Sequence, residues 1–185
     1  MKNKALKTLF IYNGIFVFAG SLLGPLYALF VETIDTTNIT SVSLSWSAFL
    51  ISTTLFMLLV RKYVDFLKEK EYLLMAGYLV RAIVWFIFPS ISTVIGLIAL
   101  QTLLGFGEAL GTPAYDAIFA EHLDKNKHVQ NYTDWKLVSN IVGAIAVILG
   151  GIFVNELGFS TLFYTMGALA LVSFFGVWLK PRRLL

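Results

Sequence analysis

Long apolar runs of about spanning length, separated by short charged or turn-forming clusters, follow one another along the whole chain. Cutting at those clusters leaves six segments, 8–31, 42–60, 72–88, 94–119, 137–154 and 161–179. About 20 apolar residues in a helix cross a bilayer core. None of the segments alternates strictly between apolar and polar, as a barrel strand does. Hydrocarbon offers backbone amides no partner, so each segment is read as a helix that satisfies its own amides. The pattern predicts an all-α integral membrane protein, a single domain over residues 1–185 with six transmembrane helices.

Composition sharpens this picture. The chain is 58% hydrophobic and 14% charged, against about 45–50% and about 25% in a soluble domain. Six spans use roughly 120 residues, which leaves no room within the 185 for a separate globular domain of usual size. With no cysteine, thiolate metal sites, iron–sulfur clusters and cysteine nucleophiles are excluded. Glu121, His122, Asp124 and His128 lack the spacing of a metal site. There is no Gly-x-Ser-x-Gly elbow and no phosphate-binding Gly-x-x-x-x-Gly-Lys loop. Neither an enzyme, a cofactor nor a metal is expected.

The net charge of +3 takes its meaning from where the charges lie. Lys2, Lys4 and Lys7 precede the first segment. Arg61, Lys62, Lys68 and Lys70 follow the second, Lys125, Lys127 and Lys136 follow the fourth, and Lys180, Arg182 and Arg183 follow the sixth. Every Lys and Arg but Arg81 thus falls in loops of one parity. The positive-inside bias places both termini in the cytoplasm and Glu32, Asp35 and Glu156 outside. The basic balance therefore belongs to loops beside anionic lipid, not to nucleic acid, and the expected location is the plasma membrane, as a multi-pass protein. The first segment is longer than the apolar core of a signal peptide and is expected to stay in the mature protein.

Small and kinking residues punctuate the segments. Gly20 and Gly24 in the first, and Gly107 and Gly111 in the fourth, are spaced four apart, as suits close helix approach. Pro25 and Pro113 lie inside the same two segments and remove an amide donor there.

These residues carry a resemblance. Gln101-Thr102-Leu103-Leu104-Gly105-Phe106-Gly107-Glu108-Ala109 is similar to the Arg-x-x-x-Gly-x-Gly-x-Ala pattern of the fourth helix of major facilitator superfamily transporters, with Gln101 in place of the arginine, and Thr112-Pro113-Ala114-Tyr115 continues it. Residues 61–70 occupy the loop where that family has a Gly-x-Leu-x-Asp-Arg-x-Gly-Arg-Lys pattern, and keep Asp65 and the basic character. Gly150-Gly151 ends the fifth segment as the antiporter motif does, but Ala146-Val147 stand where Gly-Pro would be. Gly158-Phe159 leads into the sixth segment in a common way, and Gly24-Pro25-Leu26-Tyr27 resembles half-length bacterial members. The chain as a whole resembles one six-helix half of such a transporter, which normally has twelve helices. In full-length members the two halves are parallel repeats with substrate bound between them near the midplane. The resemblance therefore implies a parallel homodimer around a central cavity, lined by the first, second, fourth and fifth helices.

Glu108 lies near the middle of the fourth segment, where a carboxylate costs several kcal/mol unless neutral or paired. Gln101, Glu108, Thr112 and Tyr115 are spaced seven, four and three apart and share one helix face. One reading makes Glu108 a proton or substrate group in the cavity, with Gln101 and Tyr115 beside it. A second pairs it with Arg81, which lies roughly 13 Å into the third segment at about 1.5 Å per residue, as a purely structural ion pair. A third leaves it neutral and hydrogen-bonded. Asn13 and Asn140 are the strongest other cavity candidates, with Tyr12, Tyr27, Ser45 and Ser52 behind them. At the cytoplasmic rim Asp65, Arg61 and Asp116 are candidates for a gate, since in the family such charges latch the halves.

The resulting expectation is a secondary carrier of a small solute, proton-coupled through Glu108 and working by alternating access as a homodimer. The alternative is a membrane module without transport of its own, or a half-transporter that needs a different partner chain. A channel ranks third.

Overall fold

The computed structural model describes residues 4–35, 39–64 and 69–179, and among them every regular element is helical. Helix α1 (Lys4–Leu23) and the short α2 (Tyr27–Glu32) are joined by a tight 3-10 turn, Gly24–Leu26. Gly24 takes a φ of 23° and Pro25 follows it, so the sequence that removes an amide and tolerates positive φ sets the bend. Then come α3 (Thr40–Val64), α4 (Glu71–Ile87) with a 3-10 turn at Phe88–Ser90, α5 (Val94–Glu121) and α6 (His128–Trp178). The Thr93 side chain caps α5 by accepting from the Gly96 amide. Pro113 is accommodated inside α5 without ending it.

Five segments are long and apolar enough to cross a membrane: 6–32, 40–62, 71–90, 94–121 and 128–178. The last, of 51 residues, is about twice the length that a bilayer needs, and its helical backbone breaks at Gly158 (φ 78°, ψ 171°). The contacts on either side of the break show that the chain turns back there. Phe10 packs on Phe119 and Trp135, with centroids 5.8 and 5.1 Å away, and Tyr12 lies against Gly176. At the opposite end Phe30 meets Phe88, Phe159 and Phe163 at 5.7, 5.4 and 4.7 Å. Residues 135 and 176 thus share one end of the bundle while 159 lies at the other. Only glycine reaches that φ without strain, so the reversal of α6 depends on this residue.

The structure also extends one predicted element. The fifth apolar segment starts at Leu137, yet α6 begins at His128. Its first turns are polar outside and packed inside: Asn131 is buried, Tyr132 sits edge-on to Phe119 at 4.9 Å, and Trp135 lies 5.2 Å from Tyr115. Hydropathy reports the stretch that meets lipid, whereas helix hydrogen bonding continues into the polar turns beyond it.

Close approaches hold α5 in place between α3 and α4. A Cβ built on Gly77 would stand 2.6 Å from the Gly111 Cα, and one built on Gly105 would stand 2.6 Å from the Phe49 carbonyl oxygen. These glycines let backbones touch where dispersion and short polar links, not water, must supply the attraction. One such link is the Ser52 hydroxyl donating to the Thr102 carbonyl at 2.6 Å.

Candidate functional site

Four helices each turn one stripe of side chains towards a common space. From α1 come Asn13, Phe16, Val17 and Gly20, from α4 Leu74, Tyr78, Arg81 and Trp85, from α5 Glu108, Gly111, Thr112 and Tyr115, and from α6 Trp135 and Ser139. Steps of three and four keep each set on one helix face. They enclose a chamber of about 400 Å³, with Ser21 and Asp116 also on its wall.

The Arg81 Nη1 donates to Glu108 Oε2, and the Thr112 hydroxyl, one turn further along α5, donates to Glu108 Oε1. Both oxygens of the carboxylate are therefore occupied. Side-chain exposure is only 12% for Arg81 and 26% for Glu108, so the two charges depend on each other for compensation. The packing makes room for them. A Cβ on Gly107 would come within 2.8 Å of Arg81 Cγ, and one on Gly111 within 3.0 Å of Arg81 Nη2. The guanidinium also lies over the Phe16 ring, 4.2 Å from its centroid, a cation–π contact of the kind arginine makes readily.

Around the pair, Tyr78 donates to Asn13 Oδ1 at 2.7 Å, and Phe16 packs on Tyr78 and Trp85 at 4.5 and 5.6 Å. Among the described residues, the buried Tyr115 hydroxyl and the Arg81 Nε have no hydrogen-bond partner, which is uncommon for buried polar atoms.

A second, smaller chamber of about 180 Å³ lies towards the opposite end of the bundle, walled by Tyr27, Trp46, Phe49, Gln101, Leu104 and Met166 among others. Gly20, Arg81, Trp85 and Glu108 line both chambers. The ion pair thus stands between a chamber nearer Trp135 and Ser139 and one nearer Tyr27 and Trp46. A third, almost wholly apolar groove of about 480 Å³ between α1 and α6 carries Lys7 at its edge and suits lipid.

The sequence candidates distribute unevenly. Glu108, Tyr115, Asn13 and Asp116 line the larger chamber, and Gln101 lines the smaller one. Asn140 is exposed on α6, next to Ser139, and Arg61 is exposed near the end of α3. Asp65 lies outside the described residues. Ser45 and Ser52 are buried and tie helices together, Ser45 sharing a 2.6 Å hydrogen bond with Tyr27. Sequence reasoning missed Phe16, Tyr78, Trp85, Trp135 and Ser139. The usable signal was spacing, since Tyr78 and Trp85 flank Arg81 at three and four residues.

A family model for the Major Facilitator Superfamily matches residues 9–184. The chain belongs to the major facilitator superfamily. It is accordingly a multi-pass membrane protein and a secondary transporter by family, not an enzyme. This superfamily member is 27% identical over 159 residues to a protein of Bacillus subtilis (strain 168) described as the uncharacterized MFS-type transporter YitZ. The alignment takes in 84% of this chain and 94% of that relative, so the relative is of similar length.

Proposed function

We propose that the chain is a carrier of a small solute that works by alternating access as a parallel homodimer, with the Arg81–Glu108 pair as its movable partition. One observation carries this reading: a single ion pair walls two chambers that lie towards opposite ends of the bundle. A solute that draws Glu108 away from Arg81 opens the way between them. A pair that parts only around a bound solute passes that solute from one chamber to the other without leaving an open pore, which is what separates a carrier from a channel.

The break at Gly158 supports six crossings, and with the basic loops it supports cytoplasmic termini. The larger chamber, beside Trp135 and Asp116, then faces the cytoplasm. Glu108 is the coupling group in this account. Once Arg81 lets go, an uncompensated carboxylate at that depth is costly, and taking up a proton from one side and releasing it to the other removes that cost.

The similar length of the relative and the surface of the helices support the dimer. The chain has the length of one repeat of a two-repeat transporter, and identical topology allows two copies to be related by an axis along the membrane normal. Asn140 is exposed on a spanning helix, where lipid is a poor neighbour for it and a shared aqueous cavity is a good one. Light scattering of the purified chain, with detergent or nanodisc contributions subtracted, tests this part. Twice the chain mass supports it, and a single chain mass in lipid nanodiscs contradicts it.

A further inference from the structure

We infer that the solute of the larger chamber is a monovalent organic cation with a flat or bulky apolar body, held by Asp116 and Glu108 against the chamber's aromatic rings. This rests on the carrier reading and names its substrate class.

The charges that line the chamber are Arg81, Glu108 and Asp116, one positive and two negative. Arg81 is matched by Glu108. Asp116 is exposed and forms no ion pair among the described residues. Among the described residues the chamber therefore carries one carboxylate in excess, and an anion entering it would meet that charge with no free cation on the described wall to offset it. A neutral polar solute would leave the excess uncompensated. A cation removes it.

The rings decide what kind of cation fits. Phe16, Tyr78, Trp85, Tyr115 and Trp135 form much of the wall, a surface that favours an apolar body over a hydrated metal ion or a small polyamine. The chamber already holds a delocalised cation in this manner. The Arg81 guanidinium sits 4.2 Å over the Phe16 centroid while it pairs with Glu108. An incoming organic cation presents the same two features, positive charge and a face for the rings, and competes with Arg81 for Glu108 and Phe16. Arg81 thus acts as a built-in stand-in for the solute. At about 400 Å³ the chamber lies in the usual range for small-molecule sites, roughly 300–1,000 Å³.

Equilibrium dialysis of radiolabelled tetraphenylphosphonium against the full chain in nanodiscs, with empty nanodiscs subtracted, tests the assignment. Saturable binding is expected, weakened at least about tenfold by Asp116→Asn, retained in Asp116→Glu and unchanged by Glu156→Gln, whose carboxylate lies towards the other end. Asp116 is exposed in the protomer, so its replacement leaves the packed interior intact, and a monodisperse peak of unchanged mass verifies this. Uptake no greater than that of empty nanodiscs, or saturable binding indifferent to Asp116→Asn, overturns the cation assignment. Neither result touches the carrier reading, which rests on side-specific access to the two chambers and fails only if that access is absent.

Discussion

Arg81 of α4 reaches Glu108 of α5 at the point where glycines replace side chains on both helices. Gly77 lies against Gly111, and the Arg81 stem crosses Gly107. The bare backbone creates the groove, the groove admits the guanidinium, and the guanidinium compensates a carboxylate near the middle of a spanning helix. The pair and the glycines therefore form one unit of structure.

Breaking the pair from either side leaves a lone charge. Glu108→Gln or Arg81→Gln alone is expected to destabilise the chain by about 3 kcal/mol, the scale for losing one partner of a buried pair. The double variant is expected to recover much of that loss. Unfolding in mixed detergent micelles, arranged as a double-mutant cycle, measures the coupling. Additive losses would show that the two residues do not depend on each other.

Two glycines give opposite expectations for the same substitution. Gly77→Ala places a Cβ 2.6 Å from the Gly111 backbone and is expected to cost about 1–3 kcal/mol by overpacking. Gly151→Ala meets nothing within 4 Å and is expected to be neutral or stabilising by up to about 1 kcal/mol through helix propensity. Melting temperatures of the two variants, taken in the same detergent, check the sign of each.

Part of this arrangement is legible in the sequence. The spacing of Gln101, Glu108, Thr112 and Tyr115 placed them on one face, although Gln101 lines the smaller chamber and Thr112 and Tyr115 the larger, and the depth of Arg81 made its pair with Glu108 one of three readings left open. The aromatic wall was not readable, because Phe, Tyr and Trp are ordinary constituents of membrane helices and only the packing of α1 against α4 and α6 separates Phe16, Tyr78 and Trp135 from rings that face lipid. Asn140 had the right residue type and lies one position from the chamber-lining Ser139, a displacement of about 100° around a helix that composition cannot detect. The early start of α6 at His128 was hidden for a related reason. Hydropathy registers the lipid-facing length of a helix, whereas Tyr132 packs on Phe119 of α5 and Trp135 on Tyr115 of α5 and Phe10 of α1.

The cysteine-free sequence makes topology directly testable. A single cysteine in place of Glu156 is expected to react with a membrane-impermeant maleimide in intact cells, and one in place of Lys125 only after permeabilisation. Reaction of both from outside would remove the sixfold crossing with cytoplasmic termini.

In the proposed carrier the Arg81–Glu108 pair separates two aqueous chambers reached from opposite sides. Single cysteines at Ser139, on the larger chamber, and at Leu104, on the smaller one, report on it through labelling by an impermeant maleimide in right-side-out and inside-out vesicles. Ser139→Cys is expected to react from the cytoplasmic face and Leu104→Cys from the external face, and adding Arg81→Ala is expected to let each react from both. Labelling of both positions from one face only, or of neither from any face, would contradict it.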